Sequence, residues 1–139
     1  MPLDDTTFNY GNGGGRNDRW NRICERMNRM LDKLKRYANK IERMQLDDEE
    51  KKVRKSLALI GAGIAEAKIL AEEGGRDYRN LMLKSLVDAR IAKDSVYGTL
   101  LGDRKFSLEI MDELRNNPLA IKARRVYEIG VSNIEKYLN

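Results

Sequence analysis

Histidine is absent from the chain, which removes the commonest general base, the usual metal ligand and every Ser-His or Cys-His nucleophilic pair. Cysteine occurs once, as Cys24, so an intrachain disulfide framework and a zinc site built on several thiolates are excluded. Cys24 falls in an apolar stripe, the setting of a buried structural thiol rather than a reactive one. Proline occurs only at Pro2 and Pro118, leaving almost the whole chain free to be helical. The longest uncharged apolar stretch, Ser56 to Ala65, is ten residues, against about 20 for a bilayer span. The opening MPLDDTTFNYGNGGG has no apolar core of a signal peptide. These absences predict a cytoplasmic protein without a membrane partner. A GxxxxGK[ST] phosphate loop is also missing, and the glycines of Gly11 to Gly15 neither follow a strand pattern nor have dinucleotide-binding spacing. The acids Asp47, Asp48, Glu49 and Glu50 read as the first turn of a helix, where they complement the dipole. No enzyme, cofactor or metal site is expected.

What is present is charge and helical period. The 139 residues, 41% hydrophobic and 35% charged, suit one domain able to bury roughly 70% of its unfolded surface. Residues 1–16, rich in Gly, Asn and Thr, read as a flexible leader, and 17–139 as a single all-α domain. In its first part, 17–45, apolar residues fall at Trp20, Ile23, Met27, Met30, Leu34, Tyr37, Ile41 and Met44, the alternating steps of three and four of a coiled-coil a/d seam. Cys24, Leu31 and Ala38 widen it at position e.

Asp47 is then an N-cap with Glu50 in capping-box register. The next helix carries the seam Val53, Leu57, Ile60, Ile64, Ala67 and Ala71. Gly61 and Gly63 inside it cost about 1 kcal/mol each relative to alanine, an expense best offset by close approach of another helix. Gly74-Gly75 caps that helix and Gly102 the following one, so residues 47–101 form a long antiparallel hairpin. Arms of about 40 Å on so short a chain point to an elongated protomer that completes its core against copies of itself. The C-terminal part, 103–139, holds a short helix around Ser107 to Arg115 and a last one starting at Asn117-Pro118. The helix packing, within and between chains, is assigned to Trp20, Met27, Leu34, Ile41, Leu57, Ile60, Gly61 and Ile64.

The first helix has a second regularity. With Trp20 at position a, the g positions are Arg19, Arg26, Lys33 and Lys40, and the c positions are Arg22, Arg29, Arg36 and Arg43. These eight cations form one ridge of about 36 Å beside the apolar stripe, while Glu25, Asp32 and Glu42 lie on the far side. Residues 16–44 hold ten Lys or Arg against four Asp or Glu, an excess of six; the whole chain is +5, so the rest is −1. A solvated face that pairs with acids of neighbouring helices is the plain explanation of such a helix. A single sign throughout and the preference for arginine, whose fork suits phosphate oxygens, favour a polyanion track. The eight are therefore the candidate nucleic-acid-binding residues. Without a base-reading motif, they would contact the phosphates of double-stranded DNA. Association with an anionic membrane surface through the same helix ranks lowest.

Residues 47–101 carry DDEEKKVRKSLALIGAGIAEAKILAEE, the turn GGRDYRN and LKSLVDARIAKDSVYGTLL. The acid-rich lead into Arg54 and Ser56-Leu57, the small-residue first arm, Arg76 and Tyr78 after the turn, and the run Ser85 to Ala89 resemble the central hairpin of the small terminase subunits of T-even-type tailed phages. Gly-Gly stands where that family has a proline-containing turn, and neither end of the chain has a counterpart. The resemblance implies a ring-forming, non-catalytic homo-oligomer in the host cytoplasm that presents viral DNA to a large, ATP-driven packaging subunit. The alternative is a structural or adaptor coiled-coil protein with no nucleic-acid binding, its arginines paired with acids of adjacent subunits.

Overall fold

In the computed structural model three helices, α2, α4 and α5, begin where a side chain accepts free amide groups, and two, α2 and α3, end at glycine. The structure describes residues 18–139; the leader 1–16 lies outside them. The elements are α1 (Asp18–Arg43), α2 (Asp48–Gly74), α3 (Arg79–Leu101), α4 (Leu108–Asn116) and α5 (Pro118–Ile134), with short 3-10 turns at Gly75–Tyr78 and Glu135–Tyr137. No strand occurs among the described residues, in keeping with the all-α expectation.

Asp47 Oδ1 accepts the Glu50 amide at 2.7 Å to start α2. The carboxylate of Glu50 turns instead to Arg54, one turn on, at 3.2 Å, so the box is half made. Ser107 Oγ accepts from the Ile110 amide at 3.2 Å to start α4. Asn117 Oδ1 accepts from Leu119 and Ala120 at 2.8 and 3.3 Å, with Pro118 in the first turn of α5. Gly75 and Gly102 end α2 and α3 at φ 54° and 63°, values that a Cβ makes unfavourable.

Helix α2 is the axis of the bundle, with α1, α3 and α5 all packed on it. Ile23 of α1 shares a cluster with Leu70 of α2, while Lys51 near the start of α2 donates to the Glu42 carbonyl near the end of α1 at 3.0 Å; the two helices are antiparallel. One core cluster joins Ile23 and Met27 to Met82, Leu86 and Ile134. A second joins Val53 and Ile60 to Ala89, Val96 and Ala123 at the other end. The hairpin core is thus closed within the chain by α1 and α5, so arm length alone no longer calls for copies.

The small-residue arm does permit a close crossing, at one of the two glycines. A methyl group on Gly63 would lie 2.8 Å from both the Ala89 Cβ and the Ser85 carbonyl oxygen, whereas one on Gly61 would meet nothing within 4 Å. Gly61 is turned about 200° away from Gly63 on the helix, and its packing role passes to Gly63. A second close crossing went unread in the sequence: a methyl on Gly130 of α5 would come within 2.5 Å of the Ile64 side chain.

Candidate nucleic-acid interface

A seven-residue pattern on a helix of 3.6 residues per turn falls behind by about 20° per heptad unless the helix supercoils. In α1 the lag decides what each letter does. Ile23 at d is buried at the start, but by Tyr37 the d position has drifted to the rim and is 41% exposed. Positions a and e inherit the core: Cys24, Met27, Leu31, Leu34 and Ile41 are all buried. Trp20 is half-buried against the Tyr78 ring, with centroids 5.5 Å apart. Of the other packing candidates, Ile60 is fully buried and Leu57 and Ile64 are partly so.

The basic ridge drifts the same way, and its two ends meet different surroundings. At the start, antiparallel packing brings the end of α2 and the following turn alongside. Arg19 pairs with Asp77 at 3.0 Å and stacks its guanidinium 5.4 Å from the Tyr78 ring centre. Arg22 Nε donates to Glu73 at 3.0 Å. Arg26 forks between Glu72 at 2.9 Å and Glu73 at 3.4 Å. The hydrogen bond and charge of Arg22, with help from Arg26, hold the Glu73 carboxyl below its ordinary value against the opposing effect of burial.

From Arg29 onward the ridge engages no carboxylate among the described residues. Arg29, Lys33, Arg36, Lys40 and Arg43 are all exposed. Glu42, near the end of α1, is engaged by Lys55 of α2. Tyr37 lies at the edge of this stretch, one turn from both Lys33 and Lys40. The ridge read as one track in the sequence is therefore two: three cations committed to carboxylates of the same chain, and five facing solvent over about 21 Å.

Glu72, Glu73 and Asp77 were not singled out by sequence reasoning. Their signal is the acidic end of the second helix, which becomes meaningful only once antiparallel pairing sets residues 72–77 opposite 19–26. Glu66 was missed as well. It is 5% exposed on α2, its Oε2 accepts from Ser85 Oγ at 3.3 Å, and its Oε1 has no partner among the described residues. Burial, with the negative charge of Asp88, pushes its carboxyl above the ordinary value against the Ser85 hydrogen bond.

No protein-family model, curated protein or solved structure matches the chain. No helix of the described residues is long and apolar enough to cross a membrane.

Proposed function

We propose that the chain is a non-enzymatic, homo-oligomeric DNA-binding protein that holds duplex phosphates with Arg29, Lys33, Arg36, Lys40 and Arg43. The observation that carries this reading is a run of exposed cations with no ion-pair partner among the described residues, next to three equivalent ones that do have partners. Helical spacing sets successive c-position arginines about 10 Å apart along one face, an arrangement for following a backbone rather than reading base edges. Binding is then electrostatic, weakly sequence-selective and multiplied by assembly. The likeness of residues 47–101 to small terminase subunits supports a place beside an ATP-driven packaging motor, with the large subunit as partner.

A second reading, a structural or adaptor protein, draws on the ion pairs of Arg19, Arg22 and Arg26. On that reading the remaining five meet acids of a neighbouring protein instead of phosphates.

Fluorescence anisotropy of a labelled duplex against salt separates the two. Five phosphate contacts per protomer give a slope near −4.5 in log K against log salt, or about a 500-fold loss between roughly 50 and 200 mM. Undetectable binding by the assembled protein at the low-salt end sinks the DNA reading.

A further inference from the structure

The outer face of α3 carries a seam that is complementary to itself. Lys84, Val87, Ile91 and Asp94 follow at steps of three, four and three, so all four lie within about 40° of one line along the helix. On the opposite side Ala89 and Val96 are packed in the cluster shared with α2 and α5. Val87 and Ile91 are 54% and 61% exposed, and Lys84 and Asp94 are exposed one turn beyond them at either end. The seam therefore reads cation, aliphatic, aliphatic, anion.

Pairing along the helix is the local explanation of such charges. Asp88 stands one turn after Lys84, and Arg90 one turn before Asp94, the spacing at which ion pairs form on a helix surface. Neither pair is closed, and none of the four forms an ion pair among the described residues. Asp88 and Arg90 point about 80° to either side of the seam, so they belong to the rim of any contact made through it. At its centre only Lys84 and Asp94 carry charge.

Two copies of the seam match in one direction. Laid parallel, Lys84 meets Lys84 and Asp94 meets Asp94. Laid antiparallel about a two-fold axis level with Ala89, Val87 packs beside Ile91 of the other copy, and Lys84 meets Asp94 at both ends. We infer that α3 of one copy pairs antiparallel with α3 of a second copy through these four residues. The pairing rests on the homo-oligomer proposed above and gives it an isologous junction, the same patch on both chains. One helix pair is a small interface, below the about 1,200 Å² where standard ones begin, so the junction should dissociate on dilution.

Sedimentation equilibrium over a concentration series tests the pairing. The wild type should show a two-fold step in mass that reverses on dilution. Lys84→Asp sets like charges at both ends of the contact and should weaken that step by about tenfold or more, and Ile91→Asp, which removes the apolar centre, should abolish it. Lys84→Asp/Asp94→Lys exchanges the two ends and should restore pairing to within a few-fold of wild type. The two positions are about 15 Å apart along the helix, too far for recovery to come from contact within one chain. All three side chains are exposed, so helical content by circular dichroism should not change. The inference is overturned if Lys84→Asp pairs as tightly as wild type, or if the exchanged variant pairs no better than Lys84→Asp. A wild type that stays monomeric removes the homo-oligomer as well, whereas one that assembles with a mass indifferent to Lys84→Asp and Ile91→Asp removes this junction alone. Duplex binding is read separately, since every variant leaves the five exposed cations of α1 in place.

Discussion

Arg22 and Arg36 occupy the same heptad position two heptads apart, yet Arg22 ends on a carboxylate at 3.0 Å and Arg36 ends in solvent. The letters are identical; the direction is not, because two heptads of lag turn the side chain by about 40° relative to the packed face. At the start of α1 the ridge lies close enough to α2 to find Glu72, Glu73 and Asp77. Further along, the acidic first turn of α2, Asp48 to Glu50, gives way to Lys51, Lys52, Arg54 and Lys55, and no ridge cation there engages a carboxylate among the described residues. One periodic pattern therefore makes a clasp in its first half and a bare cationic track in its second.

The largest expected effect comes from reversing charge in one half at a time. Arg29→Glu/Arg36→Glu should lower affinity for duplex DNA by about a hundredfold or more at low salt and flatten the salt dependence. Arg22→Ala/Arg26→Ala should leave affinity within a few-fold, as these side chains are already occupied. Equal losses from the two pairs, measured by anisotropy, would break the distinction between the halves.

The next effect is on stability and runs the other way. The first-half pairs are only partly covered: Arg22 and Arg26 are 55% and 32% exposed, and Glu73 is 16% exposed. Exposed ion pairs contribute a few tenths to about 1 kcal/mol each, so Arg22→Ala/Arg26→Ala should cost about 1 kcal/mol by urea unfolding. Arg36→Ala, which loses no partner, should stay within about 0.5 kcal/mol of wild type. A cost for Arg36→Ala as large as that of the clasp variant would show that the second half is also held to the fold.

This division was not legible in the sequence, although most of the fold was. Helix ends were readable because their signals are local: Asp47, Ser107 and Asn117 accept amides within three residues of themselves, and Gly75 and Gly102 take the positive φ that ends a helix. The apolar stripe of α1 was readable in outline, but its a/d labels assumed an underwound coiled coil, and Tyr37 shows where an ordinary helix leaves that frame. Of the two mid-helix glycines of α2, Gly61 and Gly63, only Gly63 meets α3, and choosing between them requires the rotation of α2 about its own axis. The partners of Arg19, Arg22 and Arg26 are some 50 residues away in the chain, and only the register of two packed helices brings them together.

The smallest effects are in pH, where two carboxyls of α2 should respond with opposite sign. Glu73 titrates lower in the folded chain than in the unfolded one. Its contribution is present above the ordinary carboxylate range and is lost as the pH falls through the depressed folded value. Acid should therefore loosen the start of α1, seen as faster amide exchange around Arg22 and Arg26, while exchange around Arg36 changes less. Glu66 titrates higher when folded, so its charge opposes folding increasingly as the pH rises from the ordinary carboxylate range to the raised folded value. Glu66→Gln should accordingly raise the urea midpoint at neutral pH, with the gain shrinking toward zero in acid where both states of the wild type are protonated. The Arg22/Arg26 clasp does not involve Glu66, and its acid response should survive in Glu66→Gln. If that substitution abolishes the local loosening at Arg22, the acid sensitivity belongs to the α2/α3 crossing, and Glu73 is not what holds the first half of α1.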